Sequence, residues 1–139
     1  METQATEAPQ AGGTLARPWA AVSACLLGLL LPGAGHLLLG RWARGAFYLL
    51  ALLALFVLGV GMDARLTLHL GLDDPLALVI GLGQVAAGLP YLAARALGLA
   101  NGDVTSAVFD YGVTFTASAG LLNLLVAMDA MDVALGRKP

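Results

Sequence analysis

Three ionisable residues of this sequence, one histidine and two aspartates, are suited to acid–base chemistry. Asp129 and Asp132 are three residues apart, which places both carboxylates on one face of a helix. Acids within a membrane segment are costly and often mark a proton or cation site. His36 is the other candidate proton-transfer group, although no sequence feature brings it close to the aspartates. A lipid-acting enzyme would need all three groups in one cleft, and no nucleophile–base motif accompanies them.

The acids also have an interpretation as interfacial charges. Arg137 and Lys138 follow Asp132 within two helical turns, so that charge pairing at a membrane border would satisfy the carboxylates. Arg95 either extends its guanidinium to the headgroups or pairs with an acid across the bundle. We expect Asp110, with its neighbour Tyr111, to cap and anchor the last helix. The predicted interfacial charges are Arg95, Asp110, Asp129 and Asp132.

Metal and cofactor chemistry finds no support in the sequence. His36 and His69 are 33 residues apart and lack the paired spacing of metal ligands. The single cysteine, Cys25, excludes an internal disulfide and a cysteine-based zinc site. Neither a phosphate-binding glycine loop nor a hydrolase motif is present. We therefore expect no metal, no cofactor and no catalytic residue.

Small and polar residues recur at alternating spacings of four and three in two segments. Such spacing keeps them on one helical face and is typical of left-handed helix packing. We predict that the two segments pack along these seams, while a polar solute path lined by Gln84, Tyr91 and Asn123 is the alternative. The first seam comprises Ala77, Gly81, Gln84, Gly88, Tyr91 and Arg95, and the second Thr116, Gly120, Asn123, Ala127, Ala130 and Ala134.

A short basic turn separates the first two apolar segments. Arginine binds phosphate through two parallel hydrogen bonds, and basic residues near an anionic membrane surface contribute about 1 kcal/mol each. We expect the turn to anchor at lipid headgroups, or to recognise a specific lipid or protein partner with the help of His36. The predicted turn residues are Gly35, His36, Gly40, Arg41 and Arg44.

Composition explains why these residues must lie in a membrane. Hydrophobic residues make up 59% of the 139 residues and charged residues only 12%, whereas soluble proteins carry about 25% charged residues. Four stretches of 18 to 23 residues lack any charge, and a helix needs about 20 apolar residues to cross a bilayer. The net charge of −2 without a basic cluster excludes nucleic-acid binding.

The predicted architecture is all-α. After a disordered tail over residues 1–17, residues 18–139 form a compact bundle of four transmembrane helices. The spans cover residues 19–39, 45–62, 76–99 and 113–135, and the first two form a tight hairpin. Pro32 and Gly33 should kink or break the first span, and Asp74 followed by Pro75 should start the third. Both termini are expected on the cytoplasmic side.

The loop between the second and third spans alternates polar and apolar residues over residues 65–72. This is the period of a strand. Because an isolated strand has no ladder partner, we expect the segment to lie on the membrane surface with its leucines facing the lipid.

Residues 32–45 resemble the core of TM2-domain proteins, which are helical hairpins with a Gly-x-His and a Leu-Gly-Arg pattern around the turn. The family's aromatic pair is replaced by Leu37 and Leu38. The resemblance covers residues 19–62 and implies a hairpin but no defined activity. Residues 118–138 are also similar to the tail of small uncharacterised bacterial membrane proteins. The matching TM2 positions are Gly33, Gly35, His36, Leu39, Gly40, Arg41 and Gly45.

Three functional hypotheses follow. The first is a multi-pass protein of a bacterial inner membrane that acts as a helix-packing accessory or scaffold subunit and binds lipid, a partner protein or further copies of itself. The second is a small transporter or channel with a polar path between spans three and four. The third is a membrane enzyme acting on lipid.

Overall fold

The computed structural model describes residues 18–67 and 73–137, and within these ranges every regular element is a helix. The predicted all-α class is thereby confirmed. The predicted tail, His69 and Lys138 lie outside the described residues. The helices are α1 (Pro18–Leu30), α2 (Ala34–Leu38), α3 (Trp42–Gly61), α4 (Pro75–Val85), α5 (Leu89–Ala96) and α6 (Phe109–Ala134).

Two of these helices are long and apolar enough to cross a membrane. α3 has 20 residues and α6 has 26, which correspond to about 30 and about 39 Å at 1.5 Å per residue. α4 and α5 reach the required length and composition only as a pair, and they are bent by 96° at the break between them. The described residues thus contain two candidate spans, or three if the bent pair is one span, which indicates a membrane protein.

The long helix α6 is the centre of the packing, because α1, α3 and α4 all lie against it. Their backbones approach α6 closely at small residues. A Cβ added at Gly59 would collide with Gly112 and Thr116, and one added at Gly120 would collide with the backbone of Gly83. In lipid, where the hydrophobic effect does not bring helices together, such close contact is a main source of association.

The first predicted span is divided into α1 and α2, with the break at the predicted proline and glycine. Gly33 has a φ of +78°, a conformation that other residues rarely adopt. α1 alone, at about 20 Å, is shorter than the hydrocarbon core. It packs against α6 and α2, and α2 in turn contacts α3.

The third predicted span is also divided, which corrects the expectation of one continuous seam along it. α4 ends at Val85, Gly88 takes a φ of +72°, and α5 starts at Leu89. Because of the 96° bend, the α5 residues of the predicted seam do not share a face with those of α4. α5 ends at Ala96, three residues before the predicted end of the third span at residue 99.

The helix starts confirm one prediction and correct another. Asp74 Oδ1 accepts hydrogen bonds from the amides of Leu76 and Ala77 at 3.0 and 3.1 Å, so the expected cap is present. The last helix begins at Phe109, four residues before the predicted start. Asp110 therefore lies in the first turn and is not the cap. In the first turn its negative charge interacts favourably with the positive end of the helix dipole.

The loop after α3 corrects the expectation of a segment without a pairing partner. Arg65 forms an isolated antiparallel bridge with Asn101, and the amide of Leu66 donates to the carbonyl of Ala100 at 3.0 Å. Ala64 and Leu66 are buried, whereas Arg65 is exposed. The described part of this loop is thus packed against the protein.

Candidate functional site

Gln84, at the end of α4, has a fully buried side chain that is hydrogen bonded at both ends. Its Oε1 accepts from the amide of Thr67 at 3.2 Å, and its Nε2 donates to the carbonyl of Arg65 at 3.1 Å. Nε2 also donates to the hydroxyl of Thr116 at 3.0 Å. The amide therefore pairs with the extended loop as a neighbouring strand would, and it joins that loop to α4 and α6.

Asn123, at the middle of α6, connects the two helix breaks. Its Nδ2 donates to the carbonyl of Leu29, at the end of α1, at 3.0 Å and to that of Ala86, after α4, at 2.9 Å. In a continuous helix the carbonyl of Ala86 would accept from residue 90, but Pro90 has no N–H. Asn123 thus supplies the donor that the break removes. Its own Oδ1 is buried without a partner among the described residues.

The structure brings together only part of the two predicted seams. Gln84 and Asn123 contact backbone and Thr116 rather than each other. Tyr91 is buried on α5, where its hydroxyl accepts from Arg95 at 3.0 Å, and Gly88 lies in the break. The seam residues buried on α4 and α6 are Gly81, Gln84, Thr116, Gly120, Asn123, Ala127 and Ala130.

His36 on α2 and Asp129 on α6 form a contact that could not be predicted from the sequence. Nε2 of His36 lies 3.0 Å from Oδ2 of Asp129, across 93 residues of chain. The histidine side chain is fully buried and the aspartate is 28% exposed. Gly35 makes the approach possible, because a Cβ there would collide with Ala24 and Ala130. The one sequence feature that agrees with this contact is a small residue next to each partner, Gly35 beside His36 and Ala130 beside Asp129.

The ring of His36 also packs against Tyr48, a residue that was not among the predicted site residues. The centre of the Tyr48 ring lies 5.1 Å from that of His36. Nδ1 of His36 is buried and has no partner among the described residues.

A groove between α3 and α6 adjoins the contact between His36 and Asp129, because Asp129 is one of the residues that line the groove. It has a volume of about 410 Å³, and its walls combine apolar side chains with two carboxylates and a phenol. Asp132 also contacts the exposed guanidinium of Arg137 at 3.4 Å, a pairing in line with the interfacial interpretation. No group of three potential metal ligands exists in residues 18–67 and 73–137. The lining residues are Tyr48, Leu122, Leu125, Val126, Met128, Asp129 and Asp132.

The basic turn leads directly into the N-terminus of α3. The amide of Gly45 donates to the carbonyl of Arg41 at 2.9 Å, which is the first bond of the helix. The amides of Trp42, Ala43 and Arg44 precede that bond and have no acceptor within the helix. No side chain in residues 18–67 or 73–137 caps α3, and its first turn contains no acidic residue. This end of the helix therefore carries uncompensated positive partial charge.

Residues 40–44, which include the start of α3, line an open concavity of about 580 Å³. Arg44 is exposed and Arg41 is half-buried. Neither arginine has an ion-pair partner in the part of the chain that the structure describes. Trp42 is 71% exposed at the rim, and such a ring is suited to the membrane interface.

The turn and the groove lie at the same end of the bundle. Gly59, near the end of α3, contacts Gly112 and Thr116, near the start of α6, so the two helices are antiparallel. Tyr48 lines the groove one helical turn after Arg44. A cationic concavity and an acidic groove are thus neighbours on α3.

The remaining predicted charges lie elsewhere. Arg95 donates to the hydroxyl of Tyr91 and has no carboxylate partner among the described residues. Asp110 is exposed at the start of α6. In the loop before α6, the hydroxyl and amide of Thr105 donate to Asp103 and hold the pKa of that carboxyl below its usual value.

A family model described as a family of unknown function (DUF6677) matches residues 23–139. The matched range includes the basic turn, the groove and the two helix breaks. No curated protein and no solved structure matches the chain.

Proposed function

Because the chain belongs to DUF6677, a family of unknown function, we propose its function from its own residues: it is a non-catalytic accessory protein of a bacterial inner membrane that binds phospholipid headgroups. In this proposal the chain crosses the membrane four times, through α1 with α2, α3, α4 with α5, and α6. The basic turn between the first two crossings is the binding site, and the rest of the bundle holds it in place.

The observation that carries the proposal is the N-terminus of α3, which no described side chain caps, together with two arginines that have no ion-pair partner among the described residues. Amide groups at a helix start attract phosphate through their hydrogen atoms and the helix dipole. Arg41 and Arg44 add two full charges, and a guanidinium matches the geometry of phosphate oxygens. Because the residues that carry these donors line an open concavity beside Trp42, a headgroup phosphate bound there would satisfy groups that the described residues leave without an acceptor.

The interior of the bundle supports an accessory role over a solute path. Gln84 and Asn123 would be the polar lining of such a path, but both are fully buried. All hydrogen-bond donors of these two amides are paired with protein acceptors. Side chains used in this way hold helices together, which is the commoner role of intramembrane amides.

The test measures phospholipid binding to the full chain, purified in mild detergent, by native mass spectrometry with added phosphatidylglycerol. We expect one tightly bound lipid per chain. The double variant Arg41→Gln/Arg44→Gln should weaken binding at least tenfold, since two contacts of about 1 kcal/mol each are lost. Arg95→Gln is the matched control and should bind as the wild type does.

Equal binding by the wild type and the double variant would overturn the proposal. So would a stoichiometric co-purifying protein that the double variant loses while lipid binding persists, because the turn would then be a protein-docking site.

A further inference from the structure

We propose that the groove between α3 and α6 receives the ammonium group of an aminophospholipid whose phosphate is bound at the basic turn. This inference rests on the proposed function and specifies its ligand: a lipid with a zwitterionic ethanolamine headgroup, rather than any anionic lipid.

The two sites are spaced for one headgroup. Arg44 lines the cationic concavity and Tyr48 lines the groove, and residues four apart are neighbours on one helical face. One helical turn advances about 5.4 Å, which is comparable with the reach of the two-carbon linker between phosphate and ammonium. A single ligand can therefore contact both sites.

The chemistry of the groove fits an organic cation. Asp129 and Asp132 place two carboxylates in the groove, and His36, whose Nε2 lies 3.0 Å from Oδ2 of Asp129, holds that side chain in place. The Tyr48 ring offers a face to a cation. The apolar walls, Leu122, Leu125, Val126 and Met128, suit the adjoining carbon atoms of a lipid rather than a hydrated metal ion.

Within the residues that the structure describes, Arg137 is a cation that competes for this site. Arg137 contacts Asp132 at 3.4 Å, but its own side chain is 68% exposed, and exposed pairs of this kind contribute little. A lipid ammonium entering the groove would displace the Arg137 guanidinium at small cost.

The experiment compares phosphatidylethanolamine with phosphatidylglycerol, which has the phosphate but no ammonium, on the full chain in detergent. The wild type should bind phosphatidylethanolamine at least fivefold more tightly. In Asp132→Asn the dissociation constant for phosphatidylethanolamine should rise at least fivefold, while that for phosphatidylglycerol stays the same or falls. Asp110→Asn removes the same charge at the far end of α6 and should change neither constant.

A second variant keeps the test decisive if Asp132→Asn folds poorly. Arg137→Gln removes the competing cation and should tighten binding of phosphatidylethanolamine. A wild type that binds both lipids equally, or an Asp132→Asn variant whose preference changes only through tighter phosphatidylglycerol binding, would overturn the inference. Loss of phosphatidylglycerol binding in the double arginine variant, with no lipid preference in the wild type, would leave the proposed function intact and reject only the ammonium site.

Discussion

The Nδ2 atom of Asn123 lies 2.9 Å from the carbonyl oxygen of Ala86, the acceptor that Pro90 leaves without its helical donor. The same atom donates to Leu29 at the end of α1. One side chain in the middle of α6 thus completes the hydrogen bonding of two interrupted helices. In a membrane this matters because no water is present to satisfy the freed carbonyl groups.

Asn123→Leu should therefore destabilise the bundle. It removes two interhelical hydrogen bonds, each worth about 0.6 kcal/mol on average and up to about 1.7, so the free energy of unfolding should fall by about 1–3 kcal/mol. Thermal unfolding in detergent measures the loss. Asn101→Leu, in an exposed loop position, is the control. An unchanged melting temperature in Asn123→Leu would contradict the bridging role.

Gly120→Ala should separate α4 from α6. A Cβ at this position would fall on the carbonyl oxygen of Gly83 and close to the amide of Ala87, so one of the two backbones must move. Overpacking of this kind costs about 1–3 kcal/mol, which the same unfolding assay would detect. Gly61→Ala meets no atom within 4 Å and should be neutral or slightly stabilising. Equal stability of the two variants would exclude the close contact.

Gln84→Leu should destabilise the protein more than Thr116→Val. The leucine leaves the amide of Thr67 and the carbonyl of Arg65 without their partner, at about 0.5–1.5 kcal/mol for each hydrogen bond lost. Thr116→Val removes one of the three bonds of Gln84, together with the bonding of the Thr116 hydroxyl to carbonyls of its own helix, and it leaves both bonds between Gln84 and the loop in place. Solute flux into proteoliposomes tests the alternative of a polar path, and it should be equally low for the wild type, Gln84→Leu and Thr116→Val. Flux present in the wild type and abolished in a stably folded Gln84→Leu protein would favour a path.

Thr105→Val should raise the pKa of Asp103 towards its usual value. The hydroxyl of Thr105 is the main cause of the lowered pKa, and its backbone amide, which remains, is the second. Because the folded pKa lies below the unfolded one, this contact stabilises the fold above the usual carboxyl pKa and is lost as the pH falls through the lowered value. A carboxyl NMR titration measures the shift, with Asp110 as an internal reference. No change at Asp103 would contradict the assignment.

Much of the packing could be predicted because it depends on local properties. Gly120 and Ala127 are small residues at helical spacing, and their burial follows from periodicity. Pro32 with Gly33 breaks a helix through backbone geometry alone. The bend at Gly88 was harder to predict. A proline at the start of a new helix and a proline that kinks a continuous helix have the same local sequence, and Pro90 could be either. The distinction depends on whether a donor elsewhere in the chain, here Asn123, is available for the carbonyl that the proline leaves free.

The sequence by itself determined that this is an all-helical chain with membrane-length apolar segments and charges gathered between them, because length, hydropathy and backbone preferences are properties of neighbouring residues. Only the tertiary structure decided that His36 lies against Asp129 and that Tyr48 joins them at a groove. Those contacts depend on how closely α2 can approach α6, which is set by the absence of a side chain at Gly35 and by the antiparallel packing of α3. Distances of this kind arise from the whole bundle and have no signature in one segment.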